Sequence, residues 1–227
     1  MKRTKPATGH IYHVFNRGVE KRNVFINDYD RMRFIYSMLV FNNKNAVTNA
    51  NYFFDPKSIE VGLRYKDRLV KILAFVLMPN HYHLMLEQIA EDGITEFMRK
   101  LGTGYTNYFN IKYKRVGPLF QGKYKAVLLQ DHRHLLYLPY YIHLNPLDLI
   151  APEWREQKIK NIKQADNFLK SYRWSSHLNY AGQATFTNLI DQDFLKEIFT
   201  NQAHYKKDIL DWLKEGDLDD VSDVILE

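Results

Sequence analysis

The chain has no cysteine among its 227 residues. That excludes disulfides, thiolate metal sites and a cysteine nucleophile, and it agrees with a reducing compartment. It also lacks any apolar run long enough to cross a bilayer and any signal-peptide pattern, so a cytoplasmic protein is expected. Acidic residues are thin outside one stretch. Residues 208–227 hold eight of them (Asp208, Asp211, Glu215, Asp217, Asp219, Asp220, Asp223, Glu227) against one base, Lys214; with an overall charge of +6, that net of −7 leaves +13 on the rest. Such a split points to a polyanionic partner, with plain solubility as the alternative. A hydrophobic content of 45% is enough for a sizeable core in one domain with appendages.

What is present is organised around Leu77-Met78-Pro79-Asn80-His81-Tyr82-His83-Leu84-Met85-Leu86-Glu87, which follows the apolar run Leu73-Ala74-Phe75-Val76. The two runs read as a hairpin turning at Pro79-Asn80. Side chains alternate along a strand, so His81 and His83 share one face while Tyr82, Leu84 and Leu86 point into a core. Two neighbouring histidines are more often packed or exposed than metal-binding, so a third ligand is needed before a metal is inferred.

Tyr140-Tyr141-Ile142-His143-Leu144-Asn145-Pro146 supplies one. Asp131 is the N-cap candidate of a helix from about His132, and Pro146 closes it at about Asn145. Tyr141 and Asn145, four apart, lie on one helix face. With His81 and His83 opposite, the amide completes a His-His-Asn set for a hard or borderline divalent cation. The cation polarises a phosphodiester, and the phenol attacks it to give a 5′-phosphotyrosine and a free 3′-OH. Tyr140 and Tyr137 are rivals for that role. His143 is set aside because a residue two from Tyr141 faces elsewhere, and His132 and His134 because helical residues two apart cannot grip one ion.

Asn80-His81-Tyr82-His83 resembles the His-hydrophobic-His (HUH) motif, and Tyr141-Ile142-His143-Leu144-Asn145-Pro146 the single-tyrosine motif, of the small HUH transposases. The chain is most similar to the relatives associated with repetitive extragenic palindromes. Tyr12-His13-Val14-Phe15-Asn16-Arg17-Gly18, Gly117-Pro118-Leu119-Phe120-Gln121-Gly122-Lys123-Tyr124-Lys125 and Tyr172-Arg173-Trp174-Ser175-Ser176 fit as well. The resemblance implies a metal-dependent single-strand endonuclease and strand transferase acting on hairpin DNA, associated with the nucleoid. Tyr141 would be the nucleophile and His81, His83 and Asn145 would hold Mg²⁺ or Mn²⁺. A monomer is favoured over a homodimer. Replication initiators and relaxases share this chemistry, but the chain has one nucleophile and no helicase segment; a hairpin-binding regulator without cleavage is the non-enzymatic alternative. Leu147-Asp148-Leu149 departs from the family, which usually carries a base after the Asn-Pro pair, and Pro139 stands inside the expected tyrosine helix.

The rest of the chain supplies the frame. A basic arm, Lys2-Arg3-Thr4-Lys5-Pro6, precedes a strand from about His10 to Asn16. Asp28 opens a helix to about Phe41. Asn42 to Asp55 reads as a surface insertion extending to about residue 60, with Tyr52, Phe53 and Phe54 as candidates for base stacking. A second helix carries the stripe Ile94, Phe97, Met98, Leu101, Tyr105, Tyr108, Phe109, followed by Lys114 and Arg115. Gln121 to Leu129 reads as a strand with Gln121, Lys123 and Lys125 on one face, suited to a phosphate backbone. Arg17 joins these and the Lys114–Arg115 pair as DNA-binding candidates. The order predicts an α+β, ferredoxin-like β-α-β-β-α-β antiparallel sheet flanked by helices. Residues 1–150 would form the nuclease domain and residues 151–227 an accessory, mostly helical region with an acidic tail and no assigned chemistry.

Overall fold

The structure is a computed structural model that describes residues 5–45, 67–156, 158–183, 185–191, 193–194 and 202–215. Residues 2–4 of the basic arm, the insertion from 46 onward with Tyr52, Phe53 and Phe54, and the tail after 215 lie outside the described residues.

The elements follow the expected order: β1 (Ile11–Arg17), α1 (Asp28–Phe41), β2 (Val70–Met78), β3 (His81–Gln88), α2 (Gly93–Lys112), β4 (Lys125–Leu128) and α3 (His132–Leu144). The strands form one antiparallel sheet in the order β2-β3-β1-β4, which is the ferredoxin-like arrangement. β2 and β3 turn at Pro79-Asn80, so that Met78 faces His81 across the hairpin. That turn is pinned. The Pro79 carbonyl accepts from Val24 and Phe25 N–H, and the Asn80 carbonyl accepts from Gly18 N–H at 2.8 Å. Gly18 is where the chain leaves β1, and a Cβ there would come within 2.3 Å of the Arg22 carbonyl.

Alternation sorts the two sheet faces. Tyr82, Leu84 and Leu86 are buried as the pattern requires, and the Phe34 ring of α1 lies 5.1 Å from Tyr82. α1 starts on a capping box between Asn27 and Asp30. Buried Asp30 also accepts from Lys112 Nζ at 2.6 Å, Tyr113 OH at 2.7 Å and Tyr108 OH at 2.8 Å, which ties α1 to α2. Its desolvation opposes ionisation, but these donors together hold the carboxyl below its usual range. The opposite face carries His13, Phe15 and Arg17 of β1 beside His81, His83 and Met85 of β3, and α3 lies over it.

β4 corrects the strand predicted from Gln121 to Leu129, since only Lys125–Leu128 is extended. Gly122 takes φ +71°, a left-handed conformation that ends strand geometry, while Gln121 N–H donates to the Arg17 carbonyl at 2.8 Å. Gln121 and Lys123 therefore sit on a turn held against the end of β1. Their position does not come from strand alternation.

After α3 come two 3-10 turns (Asn145–Leu149 and Pro152–Glu156), then α4 (Ile162–Ser171), α5 (His177–Tyr180) and α6 (Gln202–Glu215). The segment Tyr172–Ser176 runs along the outer edge of β2. Leu77 N–H donates to the Trp174 carbonyl at 2.9 Å, Ser176 N–H to the Phe75 carbonyl at 3.0 Å, and Phe75 N–H to Ser176 Oγ at 2.9 Å. An edge that would otherwise offer unpaired backbone groups is thereby closed. Ser176 continues inward: its Oγ is 2.7 Å from His143 Nε2 of α3, whose Nδ1 is 2.8 Å from Tyr205 OH of α6, and that hydroxyl is 2.8 Å from His177 Nδ1.

Burial drives both imidazoles towards neutrality. It pushes His143 well below the ordinary histidine value, and His177 down from 6.5 to about 4. Unfolding frees these side chains to take up protons below pH 6.5, so the stability present above that pH is lost as pH falls towards 4. For His177 the loss is about 1.4 kcal/mol per pH unit in that window. Urea unfolding at pH 7.5, 5.5 and 4.5 should show the decline, with a shallower one for His177→Gln; an unchanged slope in that variant would contradict a neutral His177.

Candidate functional site

The two histidines of β3 stand side by side, their ring centroids 5.0 Å apart and their planes at 89°. Each is oriented through Nδ1. His81 Nδ1–H donates to Asn80 Oδ1 at 2.6 Å, which puts the lone pair of the neutral ring on Nε2. His83 Nδ1 is 2.9 Å from Nε2 of His13, stacked beside it at 5.1 Å. When His83 donates in that pair, its lone pair likewise falls on Nε2. Burial, followed by repulsion from His81 and His13 whenever those rings are protonated and from the Arg155 and Arg17 guanidiniums, holds the His83 pKa well below its ordinary value, so the ring is neutral.

α3 brings the third candidate. Its N-cap is Asp131, as expected, whose side chain accepts from Arg133 N–H at 2.8 Å, and it runs through Pro139 to Leu144 as one helix. Asn145 follows, fully buried, with Nδ2 donating to the Tyr141 carbonyl at 3.1 Å. That bond takes up Nδ2 and leaves Oδ1 as the acceptor end of the amide. The Nε2 of His83 and the Oδ1 of Asn145 are buried atoms without a hydrogen-bond partner among the described residues. Buried polar atoms are ordinarily satisfied, so two such acceptors on facing elements fit a cation. Among the described residues no three His, Cys, Asp or Glu side chains are grouped to hold a metal, so a three-ligand set here depends on the amide oxygen.

Tyr141 is fully buried, its ring 5.6 Å from the His83 ring and perpendicular to it. The tyrosine and the histidine pair thus come from the same chain. The rival tyrosines have other partners. Tyr140 OH donates to Asp208 Oδ2 at 2.5 Å and its ring stacks on Tyr205 and Trp212, while Tyr137 lies 5.7 Å from Trp212. Both contact α6, away from the histidines.

Arg17, Gln121, Lys123 and Lys125 line one pocket with Phe15, His81 and His83. Lys125 Nζ lies 5.6 Å over the Phe15 ring. Lys114 and Arg115 are not part of that lining. They follow the end of α2, Lys114 at φ 51° and Arg115 bonded to Asn110 Oδ1 at 3.1 Å.

Sequence reasoning missed three side chains at this site. His13 sits on the histidine face of β1, and parity counted back from Arg17, which pairs with His81, would have found it. Trp154 and Arg155 had no such signal, because they reach Tyr141 from the 3-10 turn beyond Pro152: the Trp154 ring is 6.3 Å from the Tyr141 ring, and Arg155 Cζ is 5.5 Å from its centroid. Asp148, part of the departure noted in the sequence, holds that turn. It accepts from Arg155 Nε at 3.0 Å and Nη2 at 2.8 Å, and from Trp154 Nε1 at 2.7 Å.

No curated protein matches the chain. Among solved structures it is similar to a REP-associated tyrosine transposase bound to a REP hairpin, with a TM-score of 0.51 and 10% sequence identity over 84% of this chain and 90% of that one. At that identity the likeness is one of fold. Residues 38–145 match the IS200-like transposase family, a span that includes His81, His83, Tyr141 and Asn145. Over that segment the sequence is similar to the IS200-like transposase family, and the fold is similar to that of a REP-associated tyrosine transposase.

Proposed function

We propose that the protein is a metal-dependent endonuclease and strand transferase that acts on single-stranded DNA carrying hairpins, through a 5′-phosphotyrosine at Tyr141. The observation that carries this reading is the placement of Tyr141 against His83, on the same helix end as an Asn145 amide oxygen that is buried without a hydrogen-bond partner. The matching family and the hairpin-bound relative support the substrate class. The juxtaposition within one chain also supports a monomer as the working unit.

In this reading His81 and His83 present neutral Nε2 atoms and Asn145 its Oδ1 to Mg²⁺ or Mn²⁺. The bound cation supplies charge to polarise the scissile phosphodiester. Asn80 and His13 keep the two imidazoles turned the right way. Arg17, Gln121, Lys123 and Lys125 bind the phosphates on either side, and Lys114 and Arg115 extend the basic surface beyond the pocket. The Tyr141 oxygen bonds to phosphorus while the bond to the 3′-oxygen breaks, and the phenol's proton ends on that 3′-oxygen. The strand is released with a free 3′-OH, and its attack on the phosphotyrosine reverses or transfers the break.

A labelled hairpin oligonucleotide with Mn²⁺ should leave a denaturant-resistant adduct on wild type and on Tyr140→Phe, and none on Tyr141→Phe. Peptide mapping that places the adduct on Tyr140 or Tyr137 would overturn the assignment. His83→Ala should lower adduct formation by about a thousandfold or more and weaken Mn²⁺ binding measured by electron paramagnetic resonance, with hairpin affinity changed by less than about threefold. Equal adduct yields from wild type and variant after chelation and metal restoration would sink the metal assignment. Hairpin affinity should fall steeply with salt, and Lys125→Gln should reduce the slope of log K against log salt by about 0.7, the value for one single-strand phosphate contact. An unchanged slope would remove Lys125 from the interface.

A further inference from the structure

Arg155 stands in a region to which the sequence assigned no chemistry, yet its guanidinium lies 5.5 Å from the Tyr141 ring centroid and 4.9 Å from that of Trp154. It is held there by a fork. Nε and Nη2 bond the two oxygens of Asp148, and Trp154 Nε1 bonds one of the same oxygens, so the carboxylate fixes both side chains of the turn. A bidentate pair sets direction as well as distance. Arg155 and Asp148 are each about a quarter exposed, so the pair reaches solvent while Tyr141 beside it is buried.

The electrostatics of the pocket give this cation a purpose. The candidate ligands, two imidazoles and an amide, bring no negative charge of their own, and the Arg155 guanidinium lies 5.5 Å from the Tyr141 ring, which in turn lies 5.6 Å from the His83 ring. During attack, negative charge grows on the phosphate oxygens and on the departing 3′-oxygen. A fixed cation beside them stabilises that charge without having to reorganise.

We propose that Arg155 is a further catalytic residue of this site: clamped by Asp148 against Tyr141, its guanidinium contacts the scissile phosphate and neutralises charge as the phenolic oxygen bonds to phosphorus and the 3′-oxygen leaves with the phenol's proton. The proposal rests on the function read above, and Asp148 is then a positioning residue acting through Arg155.

The test is the rate of adduct formation on a hairpin oligonucleotide with Mn²⁺, measured beside hairpin affinity, Mn²⁺ binding and thermal stability. Arg155→Ala should slow the adduct by about a hundredfold, with hairpin affinity and Mn²⁺ binding each within about threefold of wild type. Guanidinium at tens of millimolar should restore part of that rate, while the same ionic strength of sodium chloride should not. Arg155→Lys, which keeps the charge and loses the fork, should retain more activity than Arg155→Ala, and Asp148→Asn should fall between wild type and Arg155→Ala. An Arg155→Ala rate within threefold of wild type overturns the proposal and leaves the function standing. So does a loss that guanidinium does not relieve and that a lowered melting temperature matches in Arg155→Ala, Arg155→Lys and Asp148→Asn alike. A wild type that forms no adduct, or a Tyr141→Phe variant that still does, overturns the function itself and this proposal with it.

Discussion

A polar joint inside an apolar interior holds the tyrosine helix to the sheet. Ser176 Oγ accepts from Phe75 N–H of β2 and lies 2.7 Å from His143 of α3, so one hydroxyl links the edge strand to the helix that carries Tyr141. Apolar packing alone is non-directional and would tolerate a helix that slid or turned. A buried hydrogen-bonded pair does not, because displacing it strands both partners without water. His143 is two residues before Asn145 and two after Tyr141. Its attachment therefore fixes the rotation of the helix at the point where both neighbours must face the histidines.

The same logic explains how the C-terminal region bears on a site it scarcely enters. Tyr172–Ser176 closes the edge of β2, and Tyr205 meets His143 and His177 from α6. Tyr140 and Tyr137 are occupied with Asp208 and Trp212. Three tyrosines in five residues thus sort by helix face, two towards α6 and one towards the sheet.

Much of this was readable from the sequence because it follows short-range rules. Alternation placed His81 and His83 together and Tyr82 opposite, the four-residue offset placed Tyr141 with Asn145, and Asp131 marked the start of α3. The strand expected over Gln121 to Leu129 failed at Gly122, whose left-handed conformation let β4 begin only at Lys125. Lys114 and Arg115 fell outside the pocket because the chain turns at the end of α2. His13 was within reach of the register argument. Arg155 was not, since its approach depends on a bond to Asp148 across a 3-10 turn, and no periodicity encodes that.

The end of α3 has one more consequence. A helix ordinarily frays at its C-terminus, where the last four carbonyls lack intrahelical donors, and such ends open and exchange their amide protons fastest. Here the Tyr141 carbonyl receives both the backbone N–H and the side-chain Nδ2 of Asn145, and every residue from Leu138 to Leu147 is buried. The terminal turn is therefore locked where helices are normally loosest. Tyr141 and Asn145 move as one body, so opening the helix end cannot withdraw one without the other.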